Sequence, residues 1–141
     1  MIKKVREMIK IIVEISFTGN NFSAYLPALP GCVSVGDTPS EMKKNISEAI
    51  DFHLAGMKED GDNIPESFTG EYELVYKFDA QSLLQYYKGI FNAPAFERLT
   101  GINQKQIHHY SSGLKKPRTT QKKKIEKALH DLGEELLAIE L

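Results

Sequence analysis

The sequence predicts an α+β chain in two parts: a small antiparallel sheet with one helix, in the order β-β-β-α-β, then an all-α segment. Three observations carry this. Apolar residues alternate with a period of two over 9–17 and again over 72–78, the spacing of a half-buried strand. Between these stretches, from 42 to 57, they recur at helical spacing. Past residue 80 the alternation stops, and short groups of apolar residues spaced three and four apart are punctuated by Gly101, Gly113 and Gly133. The boundary between the parts is therefore placed near residue 80, giving domains 1–79 and 80–141.

In the first part, Ile9, Ile11, Val13, Ile15 and Phe17 make one apolar strand face. Gly19-Asn20-Asn21 tolerates the positive φ of a tight turn, and 22–26 resumes an extended pattern, so the two runs read as a hairpin. Pro27 and Pro30 remove backbone donors, Gly31 permits a turn, and Cys32-Val33-Ser34-Val35 forms a third strand with both valines on one face. Thr38-Pro39-Ser40-Glu41 is a helix start: Thr38 caps, Pro39 occupies the first helical position, and Glu41 bonds back to the cap. Met42, Ile46, Ala49, Ile50, His53, Leu54 and Met57 supply the buried stripe to about Lys58, with His53 as a packing residue. An acidic loop through Pro65 leads to the fourth strand, 72–78. Met8 directly precedes the first strand, so residues 1–7 form an extension or the start lies at Met8.

In the second part, helices are expected over 80–90, 92–99, 103–112 and 120–132. Their inward residues are Leu83, Leu84, Tyr87 and Ile90; Phe96 and Leu99; Ile107 and Tyr110; and Ile125, Ala128, Leu129 and Leu132. Gly133 then separates off a last segment, EELLAIEL, available to the core or to a dimer contact.

Composition excludes several classes of function. Of 141 residues, 41% are hydrophobic and 26% charged, as in an ordinary water-soluble domain. No apolar run approaches the ~20 residues of a transmembrane helix, and MIKKVREMIKIIVE lacks the apolar core and cleavage site of a signal peptide, which predicts a cytoplasmic protein. One cysteine excludes an internal disulfide, and no Cys/His spacing suits zinc, so neither a structural metal nor a cofactor is expected. The near-neutral total hides an asymmetry. Residues 1–80 hold 8 Lys and Arg against 13 Asp and Glu, whereas 81–141 hold 10 against 6. Over 98–127 nine cations face only Glu126. Such a split predicts one polyanionic partner and one basic partner.

The basic segment has the form of a helix-turn-helix, two short helices around Thr100-Gly101-Ile102-Asn103. The second helix would lay its N-terminal residues in the major groove, which makes Gln104, Lys105, His108 and His109 the candidate base-contacting residues. Gln pairs with adenine and Lys donates to guanine. Lys115, Lys116 and Arg118, in the following loop, are placed to neutralise phosphates. The run FERLTGINQKQIHHYSSGLKKP, followed by IEKALHDLGEELL, resembles the Cro/repressor (XRE) helix-turn-helix domain over about 80–141. That resemblance implies base contacts from Gln104, Lys105 and His109 and backbone contacts near Asn103 and Gln106. It departs from the family at Ala93-Pro94, where polar residues usually open the helix.

The first part is similar to HicB-type antitoxins. LPGCVSVGDTPSE, EAIDFHL and EDGDNIPE follow one another in the family's order over roughly 9–66, with Ser67 where a second proline is common. The resemblance implies a partial ribonuclease-H-like sheet, a non-enzymatic role, a basic RNA-cleaving HicA-like toxin as partner, and repression of the shared operon by DNA binding. Inhibition would be steric, and binding to a two-fold operator would require a homo-dimer or higher homo-oligomer. Two alternatives remain open: a stand-alone transcriptional regulator whose first domain senses or dimerises, and a nuclease using Glu14, Glu48 and Asp51 to hold Mg²⁺. Cys32 lacks a neighbouring base and reads as a small packing residue.

Overall fold

The alternation at 9–17 becomes strand β1, Ile9–Phe17, in a computed structural model that describes residues 8–141. The expectation that residues 1–7 are an extension lies outside the described residues. Two compact units divide between Phe78 and Asp79.

In the first unit, β1 pairs antiparallel with β2, Phe22–Tyr25, which pairs antiparallel with β3, Val33–Gly36. Helix α1, Pro39–Glu59, follows, then one 3₁₀ turn at Glu66–Phe68 and β4, Tyr72–Phe78. The α+β class holds, but the sheet is mixed: its order is β3-β2-β1-β4, and β4 runs parallel to β1. The cause is the 21-residue helix, which returns the chain to the end of the sheet where β3 began. The next strand must then run the same way as β3, and hence as β1.

The face of β1 that carries Ile11, Val13 and Ile15 is buried with Ala24, Met42, Ile46 and Ile50, so α1 covers one side of the sheet. Thr38 caps α1 as expected, its Oγ1 accepting from the Glu41 N–H at 3.2 Å. At the strand-to-helix corner, a Cβ on Gly36 would stand 2.6 Å from the Met42 backbone nitrogen, so only glycine lets β3 meet α1 this closely. The third strand begins one residue later than expected, and its valines point away from the core, with Val33 62% exposed. His53 is half-buried, its ring beside the Gly31 turn.

The second unit holds α2, Ala80–Tyr86; α3, Ala93–Thr100; α4, Gln104–Ser112; and α5, Thr119–Leu137. Leu84, Phe96, Ile102, Ile107, Tyr110 and Ile125 form its core, with Leu83, Phe91, Ala93 and Leu129 packed around them. Helix α2 stops earlier than the expected 90. The chain turns after Tyr87, leaving Ile90 exposed and bringing the Phe91 ring within 5.6 Å of Phe96. Leu99 is only half-buried. Gly133 does not end α5. A helical glycine costs about 1 kcal/mol relative to alanine, and the good helix formers Glu134, Glu135, Leu136 and Leu137 beyond it carry the helix on.

Candidate functional site

Helices α3 and α4 are joined by Gly101-Ile102-Asn103. Gly101 closes α3 in the left-handed region, at φ 76°, where a side chain would be strained. Ile102 is buried and pins the turn to the core. Asn103 opens α4, its Oδ1 accepting from the Lys105 N–H at 2.8 Å, while the Gln104 N–H donates to Glu97 Oε1 at 3.3 Å. The start of α4 is thus fixed from both sides, with the Gln104 and Lys105 side chains exposed.

Around the far side of α4 lies a cavity of about 570 Å³ lined by Gln106, Tyr110, Lys115, Lys116, Arg118 and Gln121. Four of the residues singled out for phosphate contact are therefore gathered here, and Asn103 stands apart at the turn. Three cations around an open cleft with no carboxylate in its lining produce a positive potential suited to a polyanion. Gln106 is held in place by donating from Nε2 to Tyr110 Oη at 3.0 Å. The side chain of Gln121 is half-buried, and its Oε1 has no hydrogen-bond partner. Tyr110 stands one turn from Gln106 on α4, whereas Gln121 joins the cleft only because α5 packs back on α3, a contact without a local sequence signature.

The structure separates the two histidines of α4. His108 is exposed and lines a different depression, of about 330 Å³, with Phe91, Asn92 and Ser111 among its walls. His109 is half-buried, with its Nδ1 enclosed and without a partner.

In the first unit, Cys32 is 2% exposed, and burial raises its thiol pKa, which disfavours the nucleophilic thiolate. Its N–H donates to the Leu29 carbonyl, and its own carbonyl accepts from the Leu26 N–H, closing the loop between β2 and β3. Glu14 lies on the uncovered face of the sheet, between Tyr25 and Lys77, whereas Glu48 and Asp51 project from α1 on the other side. Among the described residues, no three His, Cys, Asp or Glu side chains converge as a metal site. The uncovered face carries Ile12, Tyr25, Val33, Val35 and Val75, all exposed, and Phe52 stands 83% exposed on the outside of α1. Burial also raises the Tyr76 pKa, with Lys43 Nζ lying 4.9 Å from the centre of its ring.

Residues 9–78 match the family described as "HicB_like antitoxin of bacterial toxin-antitoxin system". The match spans nearly all of the first unit's described residues and just under half of the chain. A protein of Haemophilus phage HP1, "Uncharacterized 14.9 kDa protein in rep-hol intergenic region", is 52% identical over 42 residues, which are 30% of this chain and 32% of that protein. A solved structure, "HicA3 and HicB3 toxin-antitoxin complex", is similar at 31% identity and a TM-score of 0.35, over 37% of this chain and 60% of the matched one. The chain thus spans about a third of the phage protein and under two thirds of that structural relative. Within the matched segment, the Leu29-Pro30-Gly31-Cys32 turn, the Gly36 corner and the Thr38 cap hold the sheet against α1. No helix of the described residues is long and apolar enough to cross a membrane.

Proposed function

We propose that this protein is the antitoxin of a HicA/HicB toxin–antitoxin pair. In this reading its HicB-like domain neutralises a small basic RNA-cleaving toxin by covering it. The second unit acts as an XRE-type helix-turn-helix that binds operator DNA and represses its own operon. The observation that carries the first half is the HicB-like match over 9–78. Supporting it, residues 1–80 are acidic, which speeds and orients docking of a basic partner, and Phe52 with the uncovered sheet face offers apolar anchors.

For the second half, the support is the cationic cleft beside α4 together with the exposed Gln104 and Lys105 at its start. A helix inserted by its first turn would offer Gln104 and Lys105 to base edges. Lys115, Lys116 and Arg118 would then hold flanking phosphates. Co-expression with a short basic reading frame adjacent to the gene tests the first half: growth should be rescued and the two products should co-purify. Neither rescue nor co-purification would overturn it. Gel-shift measurements on the DNA upstream of the gene test the second, with tighter binding expected there than on random duplex.

A further inference from the structure

Helix α1 carries two residues that its own packing does not call for. Phe52 stands 83% exposed, although a phenylalanine ring is among the largest apolar surfaces a protein can bury. Gly56, one turn further on, lowers helix stability relative to alanine, yet among the described residues a Cβ there would meet nothing within 4 Å. Unlike Gly36, it answers no close approach inside the unit. The two stand at i and i+4 and so share one face of α1, and Ala55 at i+3 keeps the surface beside the Phe52 ring low.

That face is also acidic. Glu48 and Asp51 are exposed beside Phe52, and from residue 48 to residue 56 there is no Lys or Arg. Glu59, Asp60 and Asp62 follow with only Lys58 against them, at the helix end where the dipole disfavours carboxylates. The uncovered face of the sheet differs. There Lys10 lies in register with Glu73, and Glu14 with Lys77, so its charges cancel. Of the unit's two exposed apolar surfaces, only the one around Phe52 is set among unbalanced carboxylates.

We propose that the Phe52 face of α1 is the surface that docks the small basic toxin, with the Phe52 ring entering a pocket of that partner and Glu48 and Asp51 meeting its cations. An apolar anchor set among charges divides the work of binding. The ring, once desolvated, holds the complex together, while the carboxylates speed and orient the encounter. Ala55 and Gly56 let the partner's backbone come against α1 beside the anchor. The contact rests on the antitoxin function proposed above and places it on one face of one helix.

The test uses the full chain and the product of the short basic reading frame beside its gene, with binding rates read by biolayer interferometry and growth rescue scored in parallel. Phe52→Ser should dissociate at least about tenfold faster, with little change in association rate. Glu48→Lys with Asp51→Lys should associate at least about tenfold more slowly at low salt, and the difference should shrink as salt screens the charges. Gly56→Gln should also dissociate faster while its thermal midpoint is kept or raised, which a glycine needed only by the fold would not show. A wild type that neither binds nor rescues removes the proposed function and this contact with it. If the wild type binds and rescues, and all these variants behave like it, the contact alone is overturned and that function stands. Loss of binding in Ile12→Lys with Val75→Lys, while the α1 variants bind normally, overturns the contact in favour of the sheet face. A sedimenting mass that falls on Phe52→Ser without the partner overturns it as well, because a second copy then covers this face.

Discussion

At Cys32 the chemistry is decided by burial. The thiol sits 2% exposed in the loop between β2 and β3, and desolvation raises its pKa. Alkylation by iodoacetamide at pH 8 should therefore be at least about tenfold slower in the native protein than in denaturant, since only the exposed thiolate reacts. Equal rates would contradict its placement. The folded thiol holds its proton more tightly than the unfolded one. Its contribution to stability is thus complete below the ordinary thiol pKa and is lost as the pH rises through the folded value. Gly36 is constrained by space: a Cβ there would meet the Met42 backbone at 2.6 Å, and helix backbone cannot give way as a flexible side chain can. Gly36→Ala should lower stability by about 1–3 kcal/mol in denaturant unfolding, the cost of overpacking.

On the proposed reading, helix α4 and the loop after it divide two kinds of DNA contact. Lys105 stands exposed in the first turn of α4, and Lys116 lines the cationic cleft. On the proposed reading, Lys105→Ala relaxes discrimination between operator and random duplex, at about 1–3 kcal/mol for a lost base contact. Lys116→Ala weakens binding to all duplexes alike and lowers the salt slope by about 1. Equal losses by both variants on both duplexes would refute these roles. Asn103 serves α4 itself, since its side chain accepts the Lys105 N–H. Asn103→Ala should cost about 1 kcal/mol of stability, read as a lower thermal midpoint.

Across the whole chain, the two units hold separate cores, one around Val13, Ile46 and Ile50 and the other around Phe96, Ile107 and Ile125. Phe96 is 1% exposed at the centre of the second, and Phe96→Ala should remove about 3–5 kcal/mol there. Calorimetry of that variant should show the second unit's transition shifted down while the first unit keeps its own. On the proposed reading, operator binding should be lost before toxin neutralisation. Simultaneous loss of both would mean that the two cores unfold as one.

Local regularities were legible without coordinates. The period-two alternation of 9–17, the Thr38-Pro39-Ser40-Glu41 start of α1 and the Gly101 turn each depend on residues within a few positions of one another, so the chain itself displays them. The parallel docking of β4 depends on where a 21-residue helix returns the chain. The outward valines of β3 depend on its register with β2, and the run of α5 through Gly133 depends on the residues that follow the glycine. Lys115, Lys116 and Arg118 are conspicuous by charge, yet Gln121 joins them in one cleft only after α5 packs back on α3. Short-range sterics and periodicity are written along the chain. Which faces are buried, and which distant side chains share a cavity, is settled only when the elements pack and compete for the same apolar surface.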